Sequence, residues 1–351
     1  MDGLDLDWWI AGGHALELHT GRSWRSHADI DVGLVREQVS NLRTLTPGWE
    51  LFAAAAGVLT PWHGETLPDG TNNIWGRRNE GPFLVDFTVG AGSEAEWIYR
   101  RNPRLRLPWQ RAVLTTDDGL RYLAPALQLL FKSKDVRPKD DLDARTVLPL
   151  LDPWSLAVLD LWLPPSHPWS RLVREYRPGM ESAAVLSVLD LLDEAWVDGG
   201  WGVDALVGRQ TRRHLDLDLA LPTRNWQSAL GRLHEAGFLM VRDDGPHNRV
   251  LGDADGALVD LHAFDDSMTV VDSAGVARFG PDGLDYETAA FDGTGVIAGR
   301  KVACIGAGFQ MRSHSGYDDD DWHDVQLLHH RFGLPIPPDY VGFDHTGLNT
   351  G

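Results

Sequence analysis

Hydrophobic and polar positions in the first half of the chain predict strands that give way to helices. Residues 7–13 form a short apolar run ending in two glycines, which predicts a strand entering a tight turn, and residues 14–19 predict a helix. Apolar runs at 30–35 and 83–89 are typical of strands. From residue 124 onward the periodicity becomes helical. We therefore expect a sheet followed by a helical part.

The second half predicts the same order of elements. A proline-rich stretch at 163–179 separates the halves, and a helix is expected at 181–195. Strands at 219–221 and 257–264 flank a helix predicted at 225–236. Both halves therefore predict an α/β (α+β) unit in which helices flank a mixed sheet.

A repeat of polar residues supports this division. The segment WIAGGHALELHTGRSWRSHADID at 9–31 returns as WVDGGWGVDALVGRQTRRHLDLD at 196–218 without a gap. Apart from one tryptophan, the identical residues are glycine, arginine, histidine and aspartate, which serve turns, anions and metals rather than packing. They are Trp9/Trp196, Gly12/Gly199, Gly13/Gly200, Gly21/Gly208, Arg22/Arg209, Arg25/Arg212, His27/His214, Asp29/Asp216 and Asp31/Asp218. The repeat predicts one site in each of two domains, at 1–175 and 180–345.

Length and charge narrow the function. A chain of 351 residues suits two domains. The net charge of −19 argues against a protein that mainly holds a nucleic-acid backbone and suits a cationic ligand, although acidity also serves solubility. A single cysteine, no apolar run of about 20 residues and an acidic N-terminus predict a cytoplasmic location.

The two D-x-D motifs are the first candidate chemistry. On a strand, Asp29 and Asp31 would lie on one face while the residue between them points to the core, and Asp216 and Asp218 would do the same. Two adjacent carboxylates repel each other unless a cation lies between them, and oxygen ligands suit Mg²⁺. An exposed strand edge is the alternative explanation for such a pair.

The residues around each D-x-D favour the catalytic explanation. The glycine pairs lie where a strand turns into a helix, a place where backbone N–H groups can receive phosphate oxygens. Asp86 and Asp260 interrupt apolar strands, where a lone charge is costly. Three carboxylates beside a phosphate-binding turn predict phosphoryl transfer assisted by two metal ions.

These motifs resemble a known family. The pattern of two glycines, D-x-D and a later aspartate is similar to the antibiotic nucleotidyltransferases of the polymerase-beta-like superfamily. The first half resembles aminoglycoside 2''-adenylyltransferases in WWIAGGHALELHTGRSWRSHADIDVG, WIYRRNPRLRLPW, YLAPALQLLFKSKDVRPKDDLDA and PSHPW. The second half resembles the lincosamide nucleotidyltransferases in WVDGGWGVDALVGRQTRRHLDLDLAL, ALVDLHAF, GVIAGRKVACI and HSGYDDDDWHDVQLL.

The resemblance implies two tandem nucleotidyltransferase folds, each with a helical C-terminal part, and roles for individual residues. The carboxylates would bind magnesium, two ions per site, and the third of each set is either a ligand or the general base. This set is Asp29, Asp31, Asp86, Asp216, Asp218 and Asp260. ATP would contact the glycines, with the arginines, histidines and lysines in binding or supporting roles. This second set is Gly12, Gly13, Arg22, Arg25, His27, Lys132, Lys139, Gly199, Gly200, Arg209, Arg212 and His214.

The alternatives for these residues are structural. The arginines are as readily explained by ion pairs, the lysines by a solvated helix face, and the acidic run at 318–321 by the start of a helix. His14 stands where the family usually has tryptophan. The first half lacks the usual leading helix, and the second half has lost a few residues after its own. Either loss could disturb one site.

The predicted function is transfer of AMP from ATP to a hydroxyl of an antibiotic, most consistent with a cationic aminoglycoside. A lincosamide acceptor, a toxin-like enzyme acting on RNA or protein, and a non-catalytic drug-binding protein are the alternatives. No membrane partner is expected, nucleic acid is disfavoured, and the two halves are candidates for an internal pseudo-dimer.

Overall fold

The computed structural model describes residues 7–93, 95–314 and 318–340. The chain divides into two compact units, Met1–Tyr176 and Arg177–Gly351, here called unit 1 and unit 2. Each unit is a mixed α/β structure with one main sheet flanked by helices, so the predicted fold class is confirmed. None of the described helices is both long and apolar enough to span a bilayer.

The elements of unit 1 alternate between strands and helices before the chain becomes helical. The strands are β1 (Trp8–Ile10), β2 (Ile30–Val35), β3 (Glu50–Ala55), β4 (Val58–Pro61), β5 (Asn73–Arg77), β6 (Phe83–Gly92), β7 (Glu96–Ile98), β8 (Arg106–Pro108), β9 (Val113–Thr115) and β10 (Arg121–Leu123). The helices are α1 (Gly12–Thr20), α2 (Leu42–Leu45), α3 (Trp109–Ala112), α4 (Pro125–Lys132), α5 (Pro138–Val147), α6 (Pro153–Trp162) and α7 (Ser170–Tyr176). The predicted helical part therefore begins at α4.

Unit 2 begins with a helix and then follows the same order. Its strands are β11 (Trp196–Val197), β12 (Asp216–Pro222), β13 (Leu239–Asp243), β14 (Asn248–Gly252), β15 (Leu258–Val271), β16 (Ala277–Gly280), β17 (Gly293–Ile297) and β18 (Arg300–Cys304). Its helices are α8 (Ser182–Asp190), α9 (Gly199–Val207), α10 (Trp226–Glu235), α11 (Ala307–Ser313) and α12 (Asp319–Phe332). The predicted helix at 181–195 is shorter than expected and ends at Asp190.

The two sheets share one topology. Seven strands of unit 1 lie in the order β3-β5-β6-β2-β1-β10-β9, and seven of unit 2 in the order β13-β14-β15-β12-β11-β18-β17. In both sheets the third and fourth strands of this order are parallel, as are the fifth and sixth, while the other neighbours are antiparallel. The sequence repeat therefore marks two copies of one fold.

Alternating apolar residues anchor the central strands. Val32 and Leu34 of β2 and Phe87 and Val89 of β6 are buried in one hydrophobic cluster of unit 1. Leu217, Leu219 and Leu221 of β12 are buried in the corresponding cluster of unit 2. Because successive side chains of a strand point to opposite faces, this packing sets the register of the polar residues between them.

Candidate active site

Strand register brings the predicted carboxylates together in each unit. Asp31 of β2 is the register partner of Asp86 on the parallel strand β6. Asp218 of β12 is likewise paired with Asp260 of β15. In both units the glycine turn follows the strand antiparallel to the D-x-D strand, so the turn and the carboxylates meet at one edge of the sheet.

The first carboxylates of the two motifs differ in their local structure. Asp216 is the first residue of β12, as a D-x-D on a strand requires. Asp29 lies directly before β2, which spans Ile30–Val35 as predicted, so only the second carboxylate of this motif is on the strand. Both side chains are exposed, and both negative charges act on the buried aspartate two residues later.

The first glycine of each pair lets an aspartate side chain approach closer than a Cβ atom would allow. Gly12 has φ +65°, and a Cβ there would lie 1.7 Å from Asp31 Oδ2. Gly199 has φ +55°, and its Cβ would lie 2.1 Å from Asp218 Oδ2. Left-handed backbone angles and close approach both favour glycine. The glycine turn therefore fixes the position of the second carboxylate of each D-x-D.

The second glycine of each pair makes room for a basic cluster. A Cβ on Gly13 would lie 2.2 Å from both Arg25 and His27, and a Cβ on Gly200 would lie 2.4 Å from Arg212. The second glycine thus lets an arginine pass close to the start of the helix.

Protein acceptors already bind the first amide of each turn. The Gly12 N–H donates to Gln128 Oε1 at 2.7 Å, and the Gly199 N–H donates to Asp198 Oδ1 at 2.8 Å. Contact between these glycines and a triphosphate stays a prediction, and it would require these amides to change partner.

Burial perturbs the carboxylates of unit 1. Burial raises the pKa of Asp31, and the negative charge of Asp29 raises it further. Burial also raises the pKa of Asp86 to about 6, even though Asn73 Nδ2 donates to both of its oxygens at 2.9 and 3.0 Å. A carboxylate with a pKa near neutrality is suited to take a proton.

The third carboxylate of unit 2 has more partners. Asn248 Nδ2 donates to Asp260 Oδ1 at 2.6 Å, and Arg242 donates to Asp260 Oδ2 at 3.3 Å. His262 Nε2 lies 3.3 Å from Asp260 Oδ1. Burial lowers the pKa of His262. The hydrogen bond to Asp260 and the negative charge of Asp260 raise it by more, so that the pKa of His262 is raised overall. Asp260 is therefore surrounded by donors.

The carboxylate set of unit 2 fits a divalent cation. Ligand atoms of Asp218, Asp260 and His262 all lie within 4.8 Å of one another. Burial raises the pKa of Asp218 well above its usual range, and the charge of Asp216 adds to this effect. Like charges held together in a buried site are stabilised when a cation lies between them, and hard oxygen ligands suit Mg²⁺.

The repeated arginines divide into two classes. Arg25 forms a bidentate pair with Asp143 at 2.8 and 2.9 Å, and Arg212 pairs with Asp324 at 2.7 Å. Arg22 and Arg209 are exposed and line neither carboxylate cavity, so the structure does not bring them to the site. The structural explanation therefore holds for Arg25 and Arg212.

The repeated histidines contact acidic residues of the preceding helix, α1 or α9, rather than a D-x-D carboxylate. His27 Nε2 lies 3.0 Å from Glu17 Oε1, and His214 Nε2 lies 2.5 Å from Asp204 Oδ2. Arg25 Nη1 lies 3.1 Å from His27 Nδ1. Both histidines thus help to hold the loop that leads into the D-x-D, which is a supporting position.

The lysines of unit 1 differ from one another. Lys132 is buried and pairs with Asp140 at 2.9 Å and Asp143 at 3.0 Å. Burial opposes ionisation of Asp140, but hydrogen bonds from Arg137 and Lys132 lower its pKa to about 2. Lys139 is exposed and does not line the cavity, although its charge acts on Asp31, and its role in nucleotide binding stays a prediction.

The acidic run at 318–321 has two roles in the described structure. Asp318 caps α12 by accepting from the Asp321 N–H at 2.8 Å, and Asp320 lies 3.5 Å from Arg212. Asp321 lines the cavity of unit 2. The run is therefore both a helix start and part of a cavity wall.

A cavity opens beside the second carboxylate of each D-x-D. The cavity of unit 1 has a volume of about 380 Å³ and is lined by Asp31, Gly12, Gln128 and several arginines and lysines. The cavity of unit 2 has a volume of about 360 Å³ and is lined by Asp218, Gly199 and several acidic and aromatic residues.

Sequence reasoning missed the partners that hold these groups. Gln128, Asn73, Asn248, Asp143 and Asp324 each contact a predicted site residue. An asparagine 13 residues before Asp86 and another 12 residues before Asp260 were a signal available in the sequence. The contacts across 116 and 118 residues, from Gln128 to Gly12 and from Asp143 to Arg25, had no local signal.

Comparisons with known proteins agree with this geometry. The sequence profile of the aminoglycoside-2''-adenylyltransferase family matches residues 1–46 and 183–328, together more than half of the chain. A lincosamide resistance protein of Staphylococcus haemolyticus is 30% identical over 149 residues, which cover 40% of this chain and 89% of that protein. Nucleotidyltransferases of this family use ATP and a divalent metal.

Two solved structures match part of the chain. The lincomycin-bound lincosamide antibiotic adenylyltransferase LnuA has 27% identity and a TM-score of 0.37, and the match covers 43% of this chain and 98% of that one. ANT(2")-Ia in complex with adenylyl-2"-tobramycin has 17% identity and a TM-score of 0.33, covering 42% and 87%. From its sequence matches, the chain belongs to the aminoglycoside-2''-adenylyltransferase family and is an antibiotic nucleotidyltransferase.

Proposed function

We propose that the chain transfers AMP from ATP to a hydroxyl of an antibiotic in a magnesium-dependent reaction, with an aminoglycoside as the acceptor. The observation that carries this proposal is the pairing of Asp31 with Asp86, and of Asp218 with Asp260, beside a glycine turn and a cavity. Two units, 1–175 and 180–345, would each be a nucleotidyltransferase domain.

In the proposed reaction, the acceptor oxygen bonds to the α-phosphorus of ATP and the bond to pyrophosphate breaks. The proton of the hydroxyl passes to the third carboxylate, Asp86 in unit 1 or Asp260 in unit 2. Bound magnesium, two ions per site, would supply neutralisation of the leaving pyrophosphate. Asp29 and Asp31, or Asp216 and Asp218, would hold it. A carboxylate with a pKa of about 6 is largely ionised at pH 7 and can accept the proton.

A lincosamide is the second candidate acceptor. It is supported by the 30% identity to a lincosamide resistance protein over 149 residues. The aminoglycoside is supported by the family profile and by the net charge of −19, which attracts a polycation. Both acceptors belong in the same assay.

The test is incubation of the full chain with ATP and Mg²⁺ against tobramycin and lincomycin, with mass spectrometry to detect an added AMP. Asp31→Asn and Asp218→Asn are compared with Asp69→Asn and Asp255→Asn, which remove exposed carboxylates outside the two cavities. We expect adducts to vanish in at least one D-x-D variant and after chelation, and to return with added Mg²⁺.

Two results would contradict the proposal. One is that no antibiotic gains AMP while labelled nucleotide appears in RNA or protein, which would support a toxin-like enzyme. The other is that both D-x-D variants together leave the adduct unchanged.

A further inference from the structure

The two cavities carry opposite charge although they occupy corresponding positions. Five basic side chains and two acidic ones line the cavity of unit 1: Arg100, Arg101, Lys132, Lys134, Arg137, Asp31 and Asp135. Among the described residues, no lysine or arginine lines the cavity of unit 2, whose ionisable residues are Asp198, Asp218, Asp285, Asp321, His262, His314 and Tyr286. Under the proposed function both units use the same donor, so the donor does not account for the contrast. The acceptor does.

Two arginines of unit 1 form no ion pair within residues 7–93, 95–314 and 318–340. Lys132 pairs with Asp140 and Asp143, and Arg137 pairs with Asp140. Arg100 and Arg101 donate to backbone carbonyls instead. Burial lowers the pKa of Arg100, which shows that its guanidinium has lost much of its water. An anionic group of a ligand would supply these guanidinium groups with a negatively charged hydrogen-bond acceptor.

The position of Arg100 indicates the acceptor rather than the donor. Arg100 Nη1 donates to the Val89 carbonyl at 3.5 Å, on the strand that carries Asp86, the proposed acceptor of the hydroxyl proton, whose negative charge also acts on Arg100. The guanidinium groups of Arg100 and Arg101 lie 5.3 and 5.2 Å from the ring centre of Phe131, which holds them at the cavity wall. Gln128, in contrast, contacts the glycine turn through the Gly12 N–H, and Lys132 pairs with Asp140 and Asp143.

The cavity of unit 2 suits amino groups. Tyr286 and Phe309 stack at 5.1 Å and form an aromatic wall, and the Tyr286 hydroxyl donates to Asp198 Oδ2 at 3.0 Å. Asp321 adds a carboxylate to the lining, and so does Asp285, which also pairs with Arg278 at 3.1 Å. Carboxylates and aromatic faces both attract ammonium groups.

We propose that the two units take acceptors of opposite charge: unit 1 an acceptor with a phosphate or carboxylate group held by Arg100 and Arg101, and unit 2 an acceptor with amino groups. This inference rests on the proposed function, because it takes the donor to be common to both units. In each unit the transfer is the one described above, from ATP to an acceptor hydroxyl with release of pyrophosphate.

The first test measures binding without ATP by calorimetry on the full chain. The anionic probe is glucose 6-phosphate, and the cationic probe is tobramycin. We expect Arg100→Gln and Arg101→Gln each to weaken binding of glucose 6-phosphate about tenfold or more, since a charge-assisted bond is lost. Arg78→Gln is the matched control, because Arg78 is exposed, also lies over an aromatic ring at 4.9 Å, and does not line the cavity. The affinity of Arg78→Gln for glucose 6-phosphate should stay within about twofold of that of the unchanged chain.

Binding of a non-hydrolysable ATP analogue with Mg²⁺ to the same variants separates donor from acceptor and shows that unit 1 is folded. The proposal requires this affinity to change less than that for glucose 6-phosphate. It is overturned if the chain does not bind glucose 6-phosphate, if the arginine variants bind it like Arg78→Gln, or if they lose the ATP analogue to the same extent.

The second test assigns the cationic acceptor. Transfer of AMP to tobramycin is expected to be lost in Asp218→Asn. Transfer that persists in Asp218→Asn and disappears in Asp31→Asn would overturn the assignment. The calorimetry with glucose 6-phosphate and tobramycin contains no ATP, so it tests the charge preference of the cavities independently of AMP transfer. If no acceptor gains AMP, only the proposed function is refuted.

Discussion

Substitution of Gly199 by alanine tests whether the glycine turn positions the catalytic carboxylate. In the wild-type chain a Cβ at this position would lie 2.1 Å from Asp218 Oδ2, whereas real Cβ contacts are rarely shorter than 3.0 Å. The Asp218 carboxylate must therefore retreat by about 1 Å. A displacement of roughly 1 Å costs about 100-fold in rate when geometry governs the reaction.

Backbone strain adds a separate effect on stability. Gly199 has φ +55°, and an alanine in the left-handed region costs about 1–2 kcal/mol. Gly208, at the other end of α9, has φ +86° and no atom within 4 Å of its Cβ position. Gly208→Ala therefore carries the strain without the collision. We expect similar losses of unfolding free energy in both variants and a loss of kcat in Gly199→Ala alone.

The assay combines urea unfolding with the rate of AMP transfer to tobramycin or lincomycin, whichever acceptor unit 2 uses. The expected fall of about 100-fold in kcat corresponds to about 2.7 kcal/mol of transition-state stabilisation. Equal rates for Gly199→Ala and Gly208→Ala would refute the steric explanation. A rate loss in both variants would instead point to general destabilisation of α9.

Three further predictions concern buried polar groups. Asp140→Asn should cost about 2 kcal/mol at pH 7, because basic partners hold the pKa of Asp140 at about 2. This cost should fade as the pH drops from about 4 to about 2 in urea unfolding, and a pH-independent cost would contradict it. Gln128→Leu should cost about 1–3 kcal/mol by orphaning the Gly12 N–H, and Gln128→Glu less, in the same assay. Burial raises the pKa of Cys304 to about 12, so iodoacetamide at pH 8 should label it only after unfolding, as mass spectrometry would show.

The sequence predicted the elements that hold the site. The strand expected at 30–35 is β2, and the helix expected at 14–19 lies within α1. Alternation of apolar residues and a glycine pair are local signals, so they can be recognised without knowing the fold. The sequence also placed Asp86 and Asp260 on strands, whereas the parallel register that pairs them with Asp31 and Asp218 was not predicted.

The sequence could not predict which charges neutralise each other. Arg25 and Lys132 share Asp143, which lies more than a hundred residues from Arg25 along the chain. Whether an arginine pairs with a carboxylate or faces a cavity depends on where distant helices pack, and that placement has no periodic signal. For this reason the sequence alone did not distinguish Arg25 from Arg100. In the structure, Arg25 pairs with Asp143, whereas Arg100 lines the cavity of unit 1.

The D-x-D strand pairs directly with the strand that carries the third aspartate. The chain segment that connects these two strands therefore does not itself form the carboxylate pair. In unit 1 that connection contains the hairpin of β3 and β4, and in unit 2 it contains α10 and the hairpin of β13 and β14. The carboxylates meet in the same register despite these different connections. The exposed turn at Gly57 is therefore a place to insert a reporter peptide or fluorophore without moving Asp31 or Asp86. Such an insertion would make unit 1 separately observable in the intact polypeptide.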